Sequence, residues 1–158
     1  MSVSSVFVRA VNFVGSRKEM RVPITLLPTA RAKTIATTTI IDTGATATFI
    51  NLRFTQKHNI PSYPLMKPMN ARVANGKIVC KITDFCLLYV QIDRRVMLGK
   101  FNVMEMGERD DILLGCPWMD AIKPEIDLEH WKVTIPRTPR SIKLERCVNY
   151  RRQENIKI

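Results

Sequence analysis

The chain lacks several features that define common protein classes. No apolar run approaches the roughly 18 residues that a membrane-spanning helix needs. The four cysteines follow no zinc-binding spacing, and His58 and His130 are far apart with no neighbouring set of ligands. We therefore expect no membrane contact, no metal and no cofactor. Nothing indicates secretion, so free thiols in the reducing cytoplasm are the expected state of the cysteines. Their positions are Cys80, Cys86, Cys116 and Cys147.

Acidic side chains are scarce, at 14 against 25 lysines and arginines, for a net charge of +11. The excess is uneven, because residues 137–158 alone carry seven basic and two acidic side chains. Such a basic tail can bind nucleic acid weakly by neutralising phosphates, although a solvated linker would have the same composition. We divide the chain into an N-terminal leader or extra strand (1–19), one domain (20–136) and the basic tail (137–158).

The most informative stretch is a run of β-branched residues, 37–41, that leads directly into Asp42, Thr43 and Gly44. Such a run favours a strand, and Gly44 permits a sharp turn after it. A carboxylate at the end of a buried strand is costly unless it has hydrogen-bond partners or a chemical task. An ordinary turn after a strand is the alternative. This Asp-Thr-Gly sequence occurs once in the chain.

Short β-rich segments dominate the rest of the chain. Asn75-Gly76 predicts a hairpin with a two-residue turn, Asn51 is suited to cap a helix, and Asp110-Asp111 is expected in a solvated turn. Many strands and few helices indicate an all-β, barrel-like domain with one or two short helices. The pattern predicts strands at 19–27, 34–41, 77–92, 96–106, 112–115, 126–128 and 131–135, helices at 52–58 and 116–122, and a loop at 59–68.

Three features in order carry a resemblance to a known family. They are the segment 40–46 around Asp-Thr-Gly, the hairpin around 73–76, and the segment 111–119 with its Leu-Leu-Gly sequence, followed by Ile126-Asp127 and Trp131. Over residues 20–136 the chain resembles the retropepsin aspartic proteases, and especially the protease of gypsy-type long-terminal-repeat retrotransposons. The resemblance implies a small closed β-barrel that dimerises, with a hairpin flap over the cleft.

The resemblance also implies roles for individual residues. Asp42 would be the catalytic carboxylate, Thr43 would hydrogen-bond across the dimer, and Gly44 would let its amide approach the carboxylate. Residues 73–77 would form the flap tip, and Ile50 is a further candidate for the cleft wall. For Ile112 and Leu114, core packing is an equally open alternative. The expected substrate-binding residues are Ala45, Val73, Ala74, Asn75, Gly76, Ile78, Ile112 and Leu114.

Peptide hydrolysis of this kind uses two carboxylates that share one proton. A single Asp-Thr-Gly supplies half of that pair, so the active form is expected to be a homodimer to which each copy contributes Asp42. The implied substrate is an extended peptide, such as a retroelement Gag-Pol polyprotein. The implied location is the cytoplasm, including virus-like particles.

Two other interpretations stay open at this point. The domain could be an inactive or adopted retropepsin-like module that dimerises and binds nucleic acid through residues 137–158; the absence of an aromatic residue at the flap tip favours this. It could also be the retropepsin-like domain of a ubiquitin-shuttle protein. No ubiquitin-like segment is evident in the sequence, so that interpretation ranks last.

Overall fold

A computed structural model describes residues 5–7, 20–28, 33–73, 75–127, 129–130 and 132–136. Two short helices accompany the strands, α1 (Leu52–Lys57) and α2 (Cys116–Ile122). The strands are β1 (Ser5–Phe7), β2 (Arg21–Leu27), β3 (Ile35–Ile41), β4 (Phe49–Asn51), β5 (Tyr63–Arg72), β6 (Ile78–Ile92), β7 (Arg95–Met104), β8 (Ile112–Leu114), β9 (Glu125–Asp127) and β10 (Lys132–Thr134).

Six of these strands close into a barrel. The order of hydrogen-bonded neighbours is β6, β2, β3, β8, β4 and β7, and β7 pairs with β6 again. Strand β6 is long enough, at 15 residues, to extend beyond the barrel and pair with β5 as a separate hairpin. The expected all-β class and closed barrel are confirmed.

Both predicted helices are present, for the physical reasons that the sequence indicates. The side chain of Asn51 caps α1 by accepting a hydrogen bond from the backbone N–H of Arg53. Pro117 lies in the first turn of α2, where its missing N–H leaves no helical hydrogen bond unmade. The strand predicted before Asp42 and the apolar strand at 112–114 are also present, as β3 and β8.

The predicted loop at 59–68 is wrong in its second half, because β5 begins at Tyr63 and contains Pro64 and Pro68. Proline cannot donate a ladder hydrogen bond, so it is disfavoured where a strand is paired on both sides. Here the pairing with β6 shifts register between Pro64 and Met69, and on its other side β5 pairs, among the described residues, with the short β1 at residues 70–72. The irregular pairing accommodates the prolines in this strand.

The turn at Asn75-Gly76 differs from the predicted two-residue type. The backbone N–H of Gly76 donates to the carbonyl of Val73, and the N–H of Val73 donates to the carbonyl of Lys77. Gly76 has a φ of +84°, whereas Asn75 is not among the positive-φ residues. Three residues therefore separate Val73 from Lys77, and of the two that the structure describes, Asn75 and Gly76, only glycine has a left-handed backbone.

Two clusters of buried apolar side chains stabilise the barrel. The larger lies between α2 and the barrel strands and contains Leu26, Ile50, Phe101 and Trp118. The smaller contains Ala45, Phe49, Ala71 and Leu113, among others, and joins the loop after β3 to the β5–β6 hairpin. No helix in the described part of the chain is long and apolar enough to cross a membrane.

Candidate active site

The two parallel strands β3 and β8 place Asp42. Ile41 is in register with Leu114, and the backbone N–H of Asp42 donates to the carbonyl of Leu114 at 3.0 Å. The chain then turns back, with the N–H of Ala45 donating to the carbonyl of Asp42 at 3.2 Å. The carboxylate is thereby held at one end of the barrel, where both strands end.

The two oxygens of this carboxylate are in different environments. The backbone N–H of Gly44 donates to Oδ1 of Asp42 at 2.9 Å, as the sequence predicts for a glycine at this position. Oδ2 has less than 1 Å² of accessible surface and no hydrogen-bond partner. The residue as a whole is 6 % exposed. A buried oxygen without a partner destabilises the fold, so it calls for an explanation.

The junction of β8 and α2 supports the loop that follows Asp42. A Cβ atom on Gly115 would lie 2.1 Å from the carbonyl oxygen of Ala47 and 2.7 Å from that of Ala45. The N–H of Cys116 donates to the carbonyl of Ala45 at 2.8 Å, and the N–H of Gly115 to Oγ1 of Thr48 at 3.3 Å. Glycine is required at 115 because two backbone segments meet there.

The predicted catalytic residues lie together, but the predicted substrate-binding residues do not all reach a surface. Thr43 and Gly44 are exposed beside the buried Asp42. Ala45, Ile112 and Leu114 are at most 1 % exposed and belong to the apolar clusters. For Ile112 and Leu114 this burial favours the core-packing alternative. In the single chain none of these three side chains offers surface to a peptide.

The other predicted contacts belong to the β5–β6 hairpin. Asn75 and Ile78 are exposed, and Gly76 is half-buried. Val73 is half-buried and packs against the smaller apolar cluster, which contains Ala45. The hairpin is thus connected to the loop that carries Asp42. Ala74 lies outside the described residues, as do Trp131, the leader apart from β1, and the tail at 137–158.

Sequence reasoning missed the second role of Asn51, beyond helix capping. Its Nδ2 donates to the carbonyls of Gly107 and Asp110 at 2.7 and 2.9 Å. Its Oδ1 accepts from the backbone N–H groups of Arg53 and Met106 at 3.2 and 3.3 Å. This buried amide therefore joins α1 to the 105–111 loop. The sequence offers a signal only for the cap.

The expectation that Asp110 and Asp111 are solvated is wrong. Asp110 pairs with Arg21 at 2.7 Å, and Asp111 accepts a 2.7 Å hydrogen bond from the hydroxyl of Thr37. Both carboxylates are partly buried. They tie the 105–111 loop, which leads into β8, to Arg21 of β2 and Thr37 of β3. Neither residue lies in the Asp42 loop.

The cysteines within the described residues are free thiols. Burial, together with the charge of Asp84, raises the pKa of Cys86 to about 11, and burial alone raises the pKa of Cys80. The thiol of Cys116 donates to the carbonyl of Thr43 at 3.5 Å, beside the candidate catalytic residue. Within the described residues, no three histidine, cysteine or acidic side chains are grouped so as to hold a metal ion.

Comparison with protein families identifies the chain. Residues 38–140 match the model of the PEG10/RTL1 protease domain. This chain belongs to that family. The family is retropepsin-like and retrotransposon-derived, as the order of motifs predicts. The matched segment includes Asp42, the hairpin and the β8–α2 junction.

The fold is similar to that of a solved structure, the retroviral protease-like domain of Ddi1 from Leishmania major. The TM-score is 0.50 and the sequence identity is 16 %, over 79 % of this chain and 97 % of that domain. At this identity the likeness concerns the fold alone. The comparison with curated proteins found no match.

Proposed function

We propose that this domain is an aspartic endopeptidase that acts as a homodimer. The observation that carries the proposal is the state of Asp42. Its carboxylate lies on a tightly supported loop next to the exposed Thr43 and Gly44, and its Oδ2 has no partner within the chain. The chain belongs to a retropepsin-like family, and peptide hydrolysis by paired carboxylates is the chemistry for which such a carboxylate is suited.

In the proposed dimer, the two Asp42 side chains face each other across the twofold axis and share one proton. Two carboxylates about 3 Å apart cannot both ionise cheaply, which is why one proton is shared by the pair. The ionised member takes a proton from a water molecule, which attacks the scissile carbonyl carbon. The protonated member donates a hydrogen bond to the carbonyl oxygen.

The neighbouring residues have separate tasks in this scheme. The amide of Gly44 holds Oδ1 and so fixes the plane of the carboxylate. Thr43, which is exposed in the single chain, would hydrogen-bond to the other copy. Assembly also has to open Oδ2 to its mate, because that oxygen is enclosed in the single chain. We therefore expect the loop at 42–48 to move when two copies meet.

The proposed substrate is an extended polypeptide of the kind found in retroelement polyproteins. The exposed hairpin residues Asn75 and Ile78 have the better claim to contact it, since Ile112 and Leu114 are buried. Pairing of the substrate backbone with the hairpin would supply affinity, and side-chain contacts would supply selectivity.

The catalytic part of the proposal is tested with Asp42→Asn. We expect cleavage of a slightly extended precursor and of peptide pools to fall at least about a thousandfold, because the general base is lost. Asp120→Asn makes the same chemical change at an exposed aspartate and should leave the rate unaltered. Retained turnover in Asp42→Asn would exclude this residue as the catalyst. If the unmutated, folded chain cleaved no peptide, the result would favour the interpretation of this domain as a non-enzymatic binding module.

Mixing the active and Asp42→Asn chains tests the dimer. At constant total protein and equal amounts of each, random pairing leaves about one quarter of the dimers with two aspartates. Activity should fall to that fraction of the value for the unmixed active chain. A fall to one half would mean that each chain works alone. Sedimentation at micromolar concentration gives the oligomeric state independently.

A further inference from the structure

Basic and acidic side chains are segregated along this chain. The 41 residues between Asp42 and Asp84 contain six lysines and arginines and no aspartate or glutamate. This segment comprises the loop after β3, strand β4, helix α1 and most of the β5–β6 hairpin. The acid-free segment therefore starts at the candidate catalytic carboxylate and includes the hairpin next to it.

Three lysines of the hairpin have no carboxylate partner among the described residues, and the one acid of the paired strands, Asp84, lies opposite Pro64 at the far end from the turn. Lys67, Lys77 and Lys81 are exposed, and none forms an ion pair with a carboxylate among the described residues. Arg72 donates from Nη1 to the carbonyl of Gly76 at 2.8 Å, which holds a fourth positive charge at the hairpin turn. A dimer would present two such hairpins and twice this charge.

The loop that leads into β8 has the reverse balance. Residues 105–111 contain four acids and one arginine. Three of these four acids have cationic partners, since Arg53 contacts Glu105 and Glu108 while Arg21 contacts Asp110. Thr37, which binds the fourth acid, lies five residue steps before Asp42 along β3, roughly 16 Å of strand. Three of the exposed lysines that lack a carboxylate partner among the described residues lie on the hairpin, whose Val73 packs against the cluster near the Asp42 loop.

A concentration of one sign of charge beside a cleft attracts ligands of the other sign and raises their association rate. We propose that the polypeptide taken by the Asp42 site is acidic, with aspartate or glutamate flanking an apolar core, and that Lys67 and Lys81 contribute to its selection. This rests on the proposed function for the identity of the site, but its binding step can be measured without cleavage.

Binding is measured with Asp42→Asn, in which cleavage cannot interfere. The probes are short fluorescent peptides with one apolar core, flanked on both sides by two glutamates, two glutamines or two lysines. We expect the glutamate peptide to bind roughly tenfold more tightly than the glutamine peptide, and the lysine peptide more weakly than either. Raising the salt from about 50 to about 500 mM should remove most of the difference. Equal binding of the three peptides at low salt would overturn the proposal.

A double variant, Lys67→Gln with Lys81→Gln, locates the effect. The preference is the ratio of the Kd of the glutamine peptide to that of the glutamate peptide. In this variant we expect the logarithm of that ratio to fall by at least about half. Lys33→Gln with Lys132→Gln removes the same charge from exposed positions outside the acid-free segment and should keep the preference. Equal loss in both variants would mean that net charge, and not the hairpin, is responsible, and would overturn the assignment to the hairpin.

The two proposals fail in different ways. If the protein bound the glutamate peptide selectively but the unmutated chain cleaved nothing, the acidic-polypeptide proposal would stand and the peptidase proposal would be wrong. If the chain cleaved peptides without any charge preference, the peptidase proposal would stand and the acidic-polypeptide proposal would be wrong. A single-stranded RNA of equal charge that displaces the glutamate peptide and binds more tightly than it would reassign the hairpin to nucleic acid and overturn the acidic-polypeptide proposal.

Discussion

Asn51 lies beside the start of β8, and Asp42 follows the end of its partner strand β3; both residues are buried, at 3 % and 6 % exposure. The amide of Asn51 makes four hydrogen bonds, two as donor and two as acceptor. Asp42 has one backbone donor at Oδ1 and none at Oδ2. The hydrogen-bonding groups of Asn51 are therefore satisfied within the single chain, whereas one oxygen of Asp42 is left without a partner.

The difference separates two uses of a buried polar group. A fully bonded amide fixes the position of a loop and contributes to the free energy of folding. A carboxylate with an enclosed and unpaired oxygen costs free energy in the monomer, and functional sites are where such costs are commonly retained. The contrast is the physical reason to place the chemistry at Asp42 and not at Asp110 or Asp111, which have partners.

The largest effect on stability is expected from Gly115→Ala. The added Cβ would be 2.1 Å from a backbone oxygen, and backbone cannot rotate aside as a side chain can. The φ of Gly115 is −102°, so this cost comes from close approach and not from conformation. We expect a loss of about 3 kcal/mol or more in the free energy of unfolding, measured by urea titration.

Gly107→Ala is the matched control for this substitution. Gly107 has a φ of +78° and open space around its Cβ position, so only the conformational cost of about 1 kcal/mol applies. If Gly115→Ala were no more destabilising than this control, the Asp42 loop would not depend on the close contact at 115.

Asn51→Asp is expected to have the next largest effect. The substitution removes two donors and places a carboxylate oxygen against the carbonyls of Gly107 and Asp110. We expect about 3 kcal/mol of destabilisation at neutral pH, by thermal or urea unfolding. Asn59→Asp makes the same change at an exposed position and should cost little. A small effect at Asn51 would mean that its hydrogen bonds contribute little to stability, and the contrast with Asp42 would no longer hold.

The reciprocal substitution, Asp42→Asn, should change stability much less. The amide oxygen of asparagine can still accept from the N–H of Gly44, and no existing bond is lost at the other atom. We expect a change within about 1 kcal/mol in the free energy of unfolding, together with the loss of activity described above. Strong destabilisation would show that Asp42 has a structural role in the monomer.

The smallest effect concerns Asp127, on the surface in the β9–β10 turn. A side-chain hydrogen bond from His130, at 2.8 Å, is the main reason that the pKa of Asp127 lies below its ordinary value of 3.8; backbone N–H groups of the turn add to the shift. This lowered pKa contributes stability that is present above the ordinary value and lost as the pH falls through the folded one. His130→Ala should raise the pKa of Asp127, measured by NMR titration. An unchanged pKa would mean that the backbone donors alone lower it.

Part of this site is readable from the sequence because local rules decide it. The β-branched run predicts β3, Gly44 predicts the turn that brings an amide to Asp42, and Asn51 predicts the start of α1. The order of the three motifs indicates the retropepsin-like family, which the family match at 38–140 shows. Each of these signals lies within a few residues of the feature that it predicts.

Other features were missed because they depend on pairs of residues that are distant in sequence. Strand β5 forms despite two prolines because β6 is available to pair with it irregularly. Asp111 is partly buried, and the hydroxyl that donates to it belongs to Thr37, 74 residues away. The third residue of the hairpin turn was also unforeseen, since both turn types accept an Asn-Gly pair.

The sequence by itself determined the all-β class, the strand that ends at Asp42, and the single copy of the motif on which the dimer proposal rests. Those features follow from side-chain branching, turn chemistry and a count of motifs. Only the tertiary structure decided that one carboxylate oxygen is buried without a partner, that Gly115 meets the Asp42 loop, and that Ile112 and Leu114 belong to the core. These features depend on which segments come into contact when the barrel closes. Contacts between distant segments cannot be predicted from the residues next to each position in the sequence.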